Sequence, residues 1–78
     1  MATAKQERER AARGEGPLGK APDDEPVFIL RAQDCLAYDC VIKWAVLART
    51  LGVDNDKVAE AFAIADEMLH WQTRKMPD

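Results

Sequence analysis

Apolar residues recur at intervals of three and four along two segments in the second half of the chain. Such spacing places side chains on one face of an α-helix, so the pattern predicts two amphipathic helices, at about residues 34–50 and 55–72. The first stripe contains Leu36, Ala37, Cys40, Val41, Trp44, Leu47, Ala48 and Leu51, and Trp44 is expected in the core. The second stripe contains Val58, Ala61, Phe62, Ala65, Met68 and Leu69.

The residues that flank the two stripes are typical of helix ends. Asp34 and Asp54 are the expected N-caps, because a carboxylate accepts an unpaired backbone N–H. Gly52 suits the left-handed position just past the first helix. Arg74 and Lys75 suit the C-terminal end of the second helix. The link between the helices is about three residues long, and such a short link joins antiparallel neighbours. The fold class is therefore mainly α, an antiparallel helical hairpin.

A short apolar run precedes the hairpin. Residues 26–31 follow a proline and are rich in β-branched and aromatic side chains, which predicts one short strand or extended segment. A single strand has no sheet of its own, so it must pair with a copy from another chain or lie against the helices. We expect residues 27–30 to cover part of the helices.

The first 25 residues differ sharply from the rest in composition. They are rich in Ala, Gly, Pro and charged residues and bury too little apolar surface to offset their ordering entropy. We expect a flexible, disordered polar arm at 1–25, followed by one domain at 26–76. Two alternatives stay open, a short exposed helix over Lys5 to Arg13 that Gly14 stops, and an arm that orders on a partner.

Both predicted helices carry more apolar surface than one hairpin can cover. A second strip on the first helix contains Cys35, Ile42 and Val46, and the second helix has Ile64 and Trp71 off its main stripe. The sequence therefore predicts a homo-oligomer, a dimer or higher. The residues expected at interfaces are Phe28, Ile42, Val46, Ile64, Met68 and Trp71.

Composition narrows the classes of function. Eleven Lys and Arg against 14 Asp and Glu give a net charge of −3, which disfavours binding to nucleic acid. Two cysteines and one histidine are too few for a structural zinc, so neither a metal nor a cofactor is expected. No apolar run approaches the roughly 20 residues of a membrane span. Cysteine usage indicates a reduced, cytoplasmic location. With no nucleophile–base pattern, we expect no enzymatic activity.

Candidate chemistry lies at the start of the first predicted helix. Arg31 offers a planar fork of donors, and the backbone amides of a helix N-terminus attract anions. Arg31, Gln33 and Asp34 are therefore candidate residues of a small anionic site, which Tyr38 and Lys43 could line. The alternative is that Arg31 pairs with an acid, either Asp34, Asp39 or one on a neighbouring subunit.

The run from Glu25 to Asp34 (EPVFILRAQD), followed by a helix with Trp44-Ala45, resembles a group of short uncharacterised proteins. Bacteriophages and prophages of proteobacteria encode them, and the resemblance covers about residues 25–72. It implies a phage accessory protein in the host cytoplasm that counters host defence by stoichiometric binding. On this basis we expect an oligomer that sequesters an anionic nucleotide signal. The alternatives are an inhibitor of a host protein complex acting through Trp71, Met68 and Ile64, and a virion or assembly component.

Overall fold

The computed structural model describes residues 3–76, and positions 1–2 and 77–78 lie outside that range. Within it the chain is mainly helical and contains no β-strand. The elements in order are α1 (Ala4–Ala12), α2 (Gly16–Lys20), α3 (Ala37–Thr50) and α4 (Asn55–Leu69). α3 packs against α4, and α1 packs against α2.

The predicted hairpin of α3 and α4 is confirmed. Gly52, at φ 84°, follows α3, and its N–H donates to Arg49 O at 3.1 Å. The N–H of Val53 donates to Ala48 O at 3.0 Å, which completes a Schellman motif. Asp54 caps α4, since its side chain accepts from the N–H of Asp56. The link of residues 51–54 is short enough to reverse the chain, so the two helices run antiparallel.

Small side chains form the contact between the two helices. The buried apolar residues are Ala37, Ala45, Ala48, Val58 and Ala65. Alanine lets two helices approach closely, so bulkier neighbours remain outside the contact. The expectation that Trp44 lies in the core is therefore wrong, because 46% of its surface is exposed. The predicted apolar side of α4 does face the interior of the chain. Val58 and Ala65 are buried there, and Ala61, Phe62 and Met68 are half-buried.

The hairpin helices are shorter than predicted. α3 begins at Ala37 rather than near residue 34, and Asp34 instead forms a turn in which its Oδ1 accepts from the N–H of Leu36 at 2.8 Å. α4 ends at Leu69 rather than near residue 72. Arg74 and Lys75 therefore lie outside α4, and their predicted role at its C-terminal end is wrong.

The chain after α4 instead returns to the start of α3. The N–H of Cys35 donates to Lys75 O at 2.8 Å, and the N–H of Lys75 donates to Gln33 O at 2.7 Å. These bonds form a parallel bridge between Asp34 and Lys75, which we call the C-terminal clasp. Cys35 Sγ also lies 3.6 Å from Met76 Sδ. The clasp closes the end of the hairpin opposite the 51–54 link.

The apolar run before the hairpin forms no strand. Residues 26–31 have neither helical nor strand structure, and Val27, Phe28 and Ile29 are exposed, Phe28 to 85%. Only Leu30 of this run is half-buried. The prediction of a strand is therefore wrong, and so is the expectation that residues 27–30 cover part of the helices. No sheet edge exists among residues 3–76 against which the segment could pair.

Within residues 3–25 the structure has two short helices, and α1 corresponds to the alternative of a short helix that Gly14 stops. Thr3 caps α1 in a reciprocal pair with Gln6, and Gly14, at φ 73°, ends it. A Cβ on Gly19 would lie 2.7 Å from the carbonyl carbon of Gly14. Glycine at 19 thus lets α2 fold back closely onto the end of α1.

No helix within residues 3–76 combines the length and the apolar character needed to cross a lipid bilayer.

Candidate functional site

The junction that leads into α3, residues 31–36, is a compact turn. The N–H of Asp34 donates to Arg31 O at 2.9 Å, and the N–H of Ala37 donates to Asp34 O at 3.0 Å. The Asp34 carboxylate accepts a hydrogen bond from the N–H of Leu36, so this amide already has an acceptor within the chain. An external anion at this junction must therefore rely on side-chain donors and on the amides further into the first turn.

The C-terminal clasp brings two basic residues to this junction. Arg74 Nη2 donates to Cys35 O at 3.0 Å, and the backbone of Lys75 pairs with that of Gln33. Both residues are absent from the site that the sequence predicts. Both residues follow the last predicted helix, and pairing between positions some 40 residues apart leaves no periodic signal in a sequence.

The junction contains Arg31 and one acid, Asp34, and the guanidinium group of Arg74 reaches it from the clasp. Arg31 is exposed and forms no ion pair with Asp34, Asp39 or any other residue between 3 and 76. Arg74 uses one N–H of its fork on Cys35 O, and a guanidinium carries five. The predicted pairing of Arg31 with an acid of its own chain is not formed within the described residues. Donors for an anionic group therefore remain on Arg31 and Arg74.

Tyr38 and Lys43 both lie on α3, as expected, but they do not share a side of it. Five residues on a regular helix correspond to about 140° of rotation and about 7.5 Å of rise. Tyr38 is half-buried in the first turn, next to the junction, whereas Lys43 is exposed further along. Tyr38 is therefore the better placed of the two beside the junction.

A second feature is the solvent-facing side of α3. Large apolar side chains of the helix and of its two caps lie there, with exposed fractions of 51% for the N-cap Leu36, 46% for Trp44, 53% for Leu47 and 83% for the C-cap Leu51. Cys40, also exposed, completes the row. We call these five residues the outer seam. Helical geometry places the seam about 90° around α3 from the side that contacts α4.

The six predicted interface residues divide into two groups. Phe28, Val46 and Trp71 are exposed, Trp71 to 56%. Ile42, Ile64 and Met68 are half-buried within the single chain. The sequence pattern does not identify the outer seam as a surface, because its members belong to the stripe that the pattern predicts to be buried. The spacing of apolar residues at three and four positions does not determine which half of a broad stripe contacts the neighbouring helix.

Other groups of polar residues are weaker candidates for a binding site than the junction. A shallow open cleft between the arm and α4 is lined by Gln6, Glu9, Arg10, Arg13 and Glu60, with charges of both signs. His70, the C-cap of α4, has its Nδ1 2.8 Å from Asp66 O. Among residues 3–76, no three His, Cys, Asp or Glu side chains are grouped so that they could hold a metal ion.

Comparison of the chain with models of protein families, with curated proteins and with solved structures gives no match.

Proposed function

We propose that this chain is a non-enzymatic protein that binds a small anionic ligand at the junction and thereby withdraws it from solution. The ligand class is a nucleotide, with its phosphate held by Arg31 and Arg74 and its base beside Tyr38. The observation that carries this proposal is the return of residues 74–75 to residues 33–35, which adds Arg74 and Lys75 to Arg31.

The chemistry of the junction supports a phosphate rather than a neutral ligand. Guanidinium forks bind phosphate oxygens in pairs, and hydrogen bonds between charged groups are shorter and stronger than those between neutral groups. Arg31 and Arg74 supply such forks, and Tyr38, half-buried in the first turn of α3, is the aromatic residue that follows the junction in the chain. The resemblance to short phage and prophage proteins supports a host signalling nucleotide as the target, bound in the host cytoplasm.

Titration calorimetry against cyclic and linear nucleotides tests this proposal. Wild-type protein is compared with Arg31→Ala and Arg74→Ala. The matched control is Lys57→Ala, which changes the net charge equally but lies in the first turn of α4, beside the 51–54 link. We expect each arginine variant to bind the best nucleotide at least about tenfold more weakly, which corresponds to about 1.4 kcal/mol, and the control to bind as wild type does.

Two results contradict the proposal. The first is an absence of heat with every nucleotide at millimolar concentration. The second is an equal loss of affinity in Lys57→Ala and Arg31→Ala, since this pattern indicates attraction by overall charge and not by the junction.

A second candidate is a protein inhibitor of a host complex, favoured by the exposure of Trp71. An aromatic side chain of this kind often anchors an interface between proteins. Trp71 lies two residues past the end of α4, and Met68 and Ile64 are half-buried on that helix. Capture from host lysate with wild type, Trp71→Ala and the neighbouring Gln72→Ala separates the cases. A protein that wild type and Gln72→Ala retain and Trp71→Ala loses supports the inhibitor.

The ordered arm favours a third candidate, a virion or assembly component. α1 and α2 pack on each other, and their surface carries charges of both signs. Mass spectrometry of purified particles tests this candidate, and absence of the chain from particles of a phage that encodes it excludes this role.

A further inference from the structure

The outer seam is spaced like one side of a helical coiled coil. Cys40, Trp44, Leu47 and Leu51 follow each other at steps of four, three and four residues, which is the alternation of a heptad repeat. The positions that face α4, Val41 and Ala48, lie beside this row on the helix. α3 therefore carries one apolar side that the hairpin uses and a second that is patterned for another helix.

The surface area of the single chain also indicates a missing partner. The chain exposes 6261 Å². A compact monomer of 8.7 kDa exposes about 4,700 Å² according to the scaling of surface with mass, so the excess is about 1,500 Å². A stable interface covers about 800 Å² on each partner. The excess is thus large enough for a full interface, and among residues 3–76 no large side chain is fully buried.

The pattern of the seam matches itself when a second α3 runs in the opposite direction. With a two-fold axis between positions 45 and 46, Trp44 lies opposite Leu47 of the second copy, and Cys40 lies opposite Leu51. The smallest member of the row then meets the most exposed one. In this register Lys43 lies opposite position 48 and Asp39 opposite position 52, so that no like charges face each other.

We propose that the outer seam is the face on which a second copy of this chain docks, antiparallel, to form a two-fold dimer. The α3 helices of both copies meet at the centre, and each α4 lies beside its own α3, which gives a four-helix bundle. This inference goes beyond the proposed function, because it concerns another side of α3 and holds with or without a ligand at the junction. The two junctions lie at opposite ends of the paired helices, so each chain keeps its own site.

Measurement of the mass of the full chain in solution by light scattering tests the dimer. We expect wild type at about twice the chain mass of 8.7 kDa and Leu47→Glu at the mass of one chain. The matched control is Val46→Glu, one position earlier on α3. The sequence pattern predicts Val46 at an interface, but this residue is exposed outside the seam, so we expect the variant to remain dimeric. Far-UV circular dichroism of Leu47→Glu checks that the separated chain stays helical.

A cysteine pair tests the register, even if Leu47→Glu fails to fold. In Leu51→Cys, the new thiol lies opposite the native Cys40 of the second copy, so mild oxidation should give a covalent dimer. Val46→Cys places a thiol outside the seam and should remain uncrosslinked under the same conditions. A wild-type chain that stays monomeric at 100-fold different concentrations overturns the proposal. So does a dimer that survives Leu47→Glu, or equal cross-linking in both cysteine variants.

Discussion

Alanine decides how closely α3 and α4 approach each other. Ala37, Ala45 and Ala65 have no accessible surface, and they lie where a bulkier pair of helices would place leucine or valine. Side chains this small contribute little burial, so the hairpin gains stability from close backbone approach and from its end caps. The larger apolar side chains of α3 are left for surfaces outside the contact.

The substitution Ala45→Leu should therefore destabilise the hairpin. Extra methylene groups in a tight contact force the helices apart, at a cost of about 1–3 kcal/mol. Urea unfolding followed by circular dichroism measures the change in the free energy of unfolding. The control is Ala59→Leu on the exposed side of α4, which we expect to change stability by less than about 0.5 kcal/mol. Equal effects of both substitutions would show that the α3–α4 contact has room to spare.

Gly19 has a comparable role in the arm. A Cβ at this position would approach the backbone of Gly14 and of Ala11 within 3.2 Å, so Gly19→Ala should separate α2 from α1. We expect faster amide hydrogen exchange in residues 4–20 of this variant, with exchange in α3 and α4 unchanged. Lys20→Ala, exposed in the same helix, is the control and should exchange as wild type does. Unchanged exchange in Gly19→Ala would mean that the arm tolerates the extra atom.

At the scale of the element, the approximate positions of the hairpin helices and the caps at their link could be predicted from the sequence, because they depend on local patterns. The start of α3 could not, since Asp34 lies in a turn before the helix rather than at its N-cap. Asp54, Gly52 and the four-residue link act within one or two turns of chain. The C-terminal clasp could not be predicted, since its bonds join residues some 40 positions apart. The exposure of Trp44 could not be predicted either, because a stripe that is apolar over a wide arc fits several helix orientations.

We expect a proline at position 75 to open the clasp. Lys75→Pro removes the N–H that donates to Gln33 O, so residues 70–76 should separate from the junction. Hydrogen exchange at the Cys35 amide, which donates to Lys75 O, should become at least about tenfold faster. The control Lys75→Ala removes the side chain and its interactions but keeps the N–H, and it should keep the protection. Loss of protection in both variants would assign the clasp to the lysine side chain instead.

At the scale of the whole molecule, the single chain is more expanded than its length requires. Its radius of gyration is 13.2 Å, whereas a compact domain of 78 residues has about 11.5 Å. The arm and the hairpin are separate pairs of helices, each with a small contact of its own. Such a shape is typical of a protomer whose stability depends on a further copy.

That dependence predicts a melting temperature that rises with protein concentration. Association with a second copy stabilises the folded state by mass action, so a 100-fold increase in concentration should raise the melting temperature of wild type by several degrees. Leu47→Glu should melt at one temperature throughout, and Val46→Glu should follow wild type. A melting temperature of wild type that does not depend on concentration would show that the folded chain is stable alone.

The exposure of both tryptophans makes each candidate surface observable without a label. Trp44 lies in the outer seam and Trp71 lies just after α4, near the chain that forms the clasp, and both are about half exposed to water. Indole emission shifts to shorter wavelengths when water is removed from the ring. With Trp71→Phe, the remaining emission reports contact at the seam, and with Trp44→Phe it reports changes in the segment that leads from α4 into the clasp. Docking of a second copy and uptake of a ligand can thus be followed as two separate optical signals in one small protein.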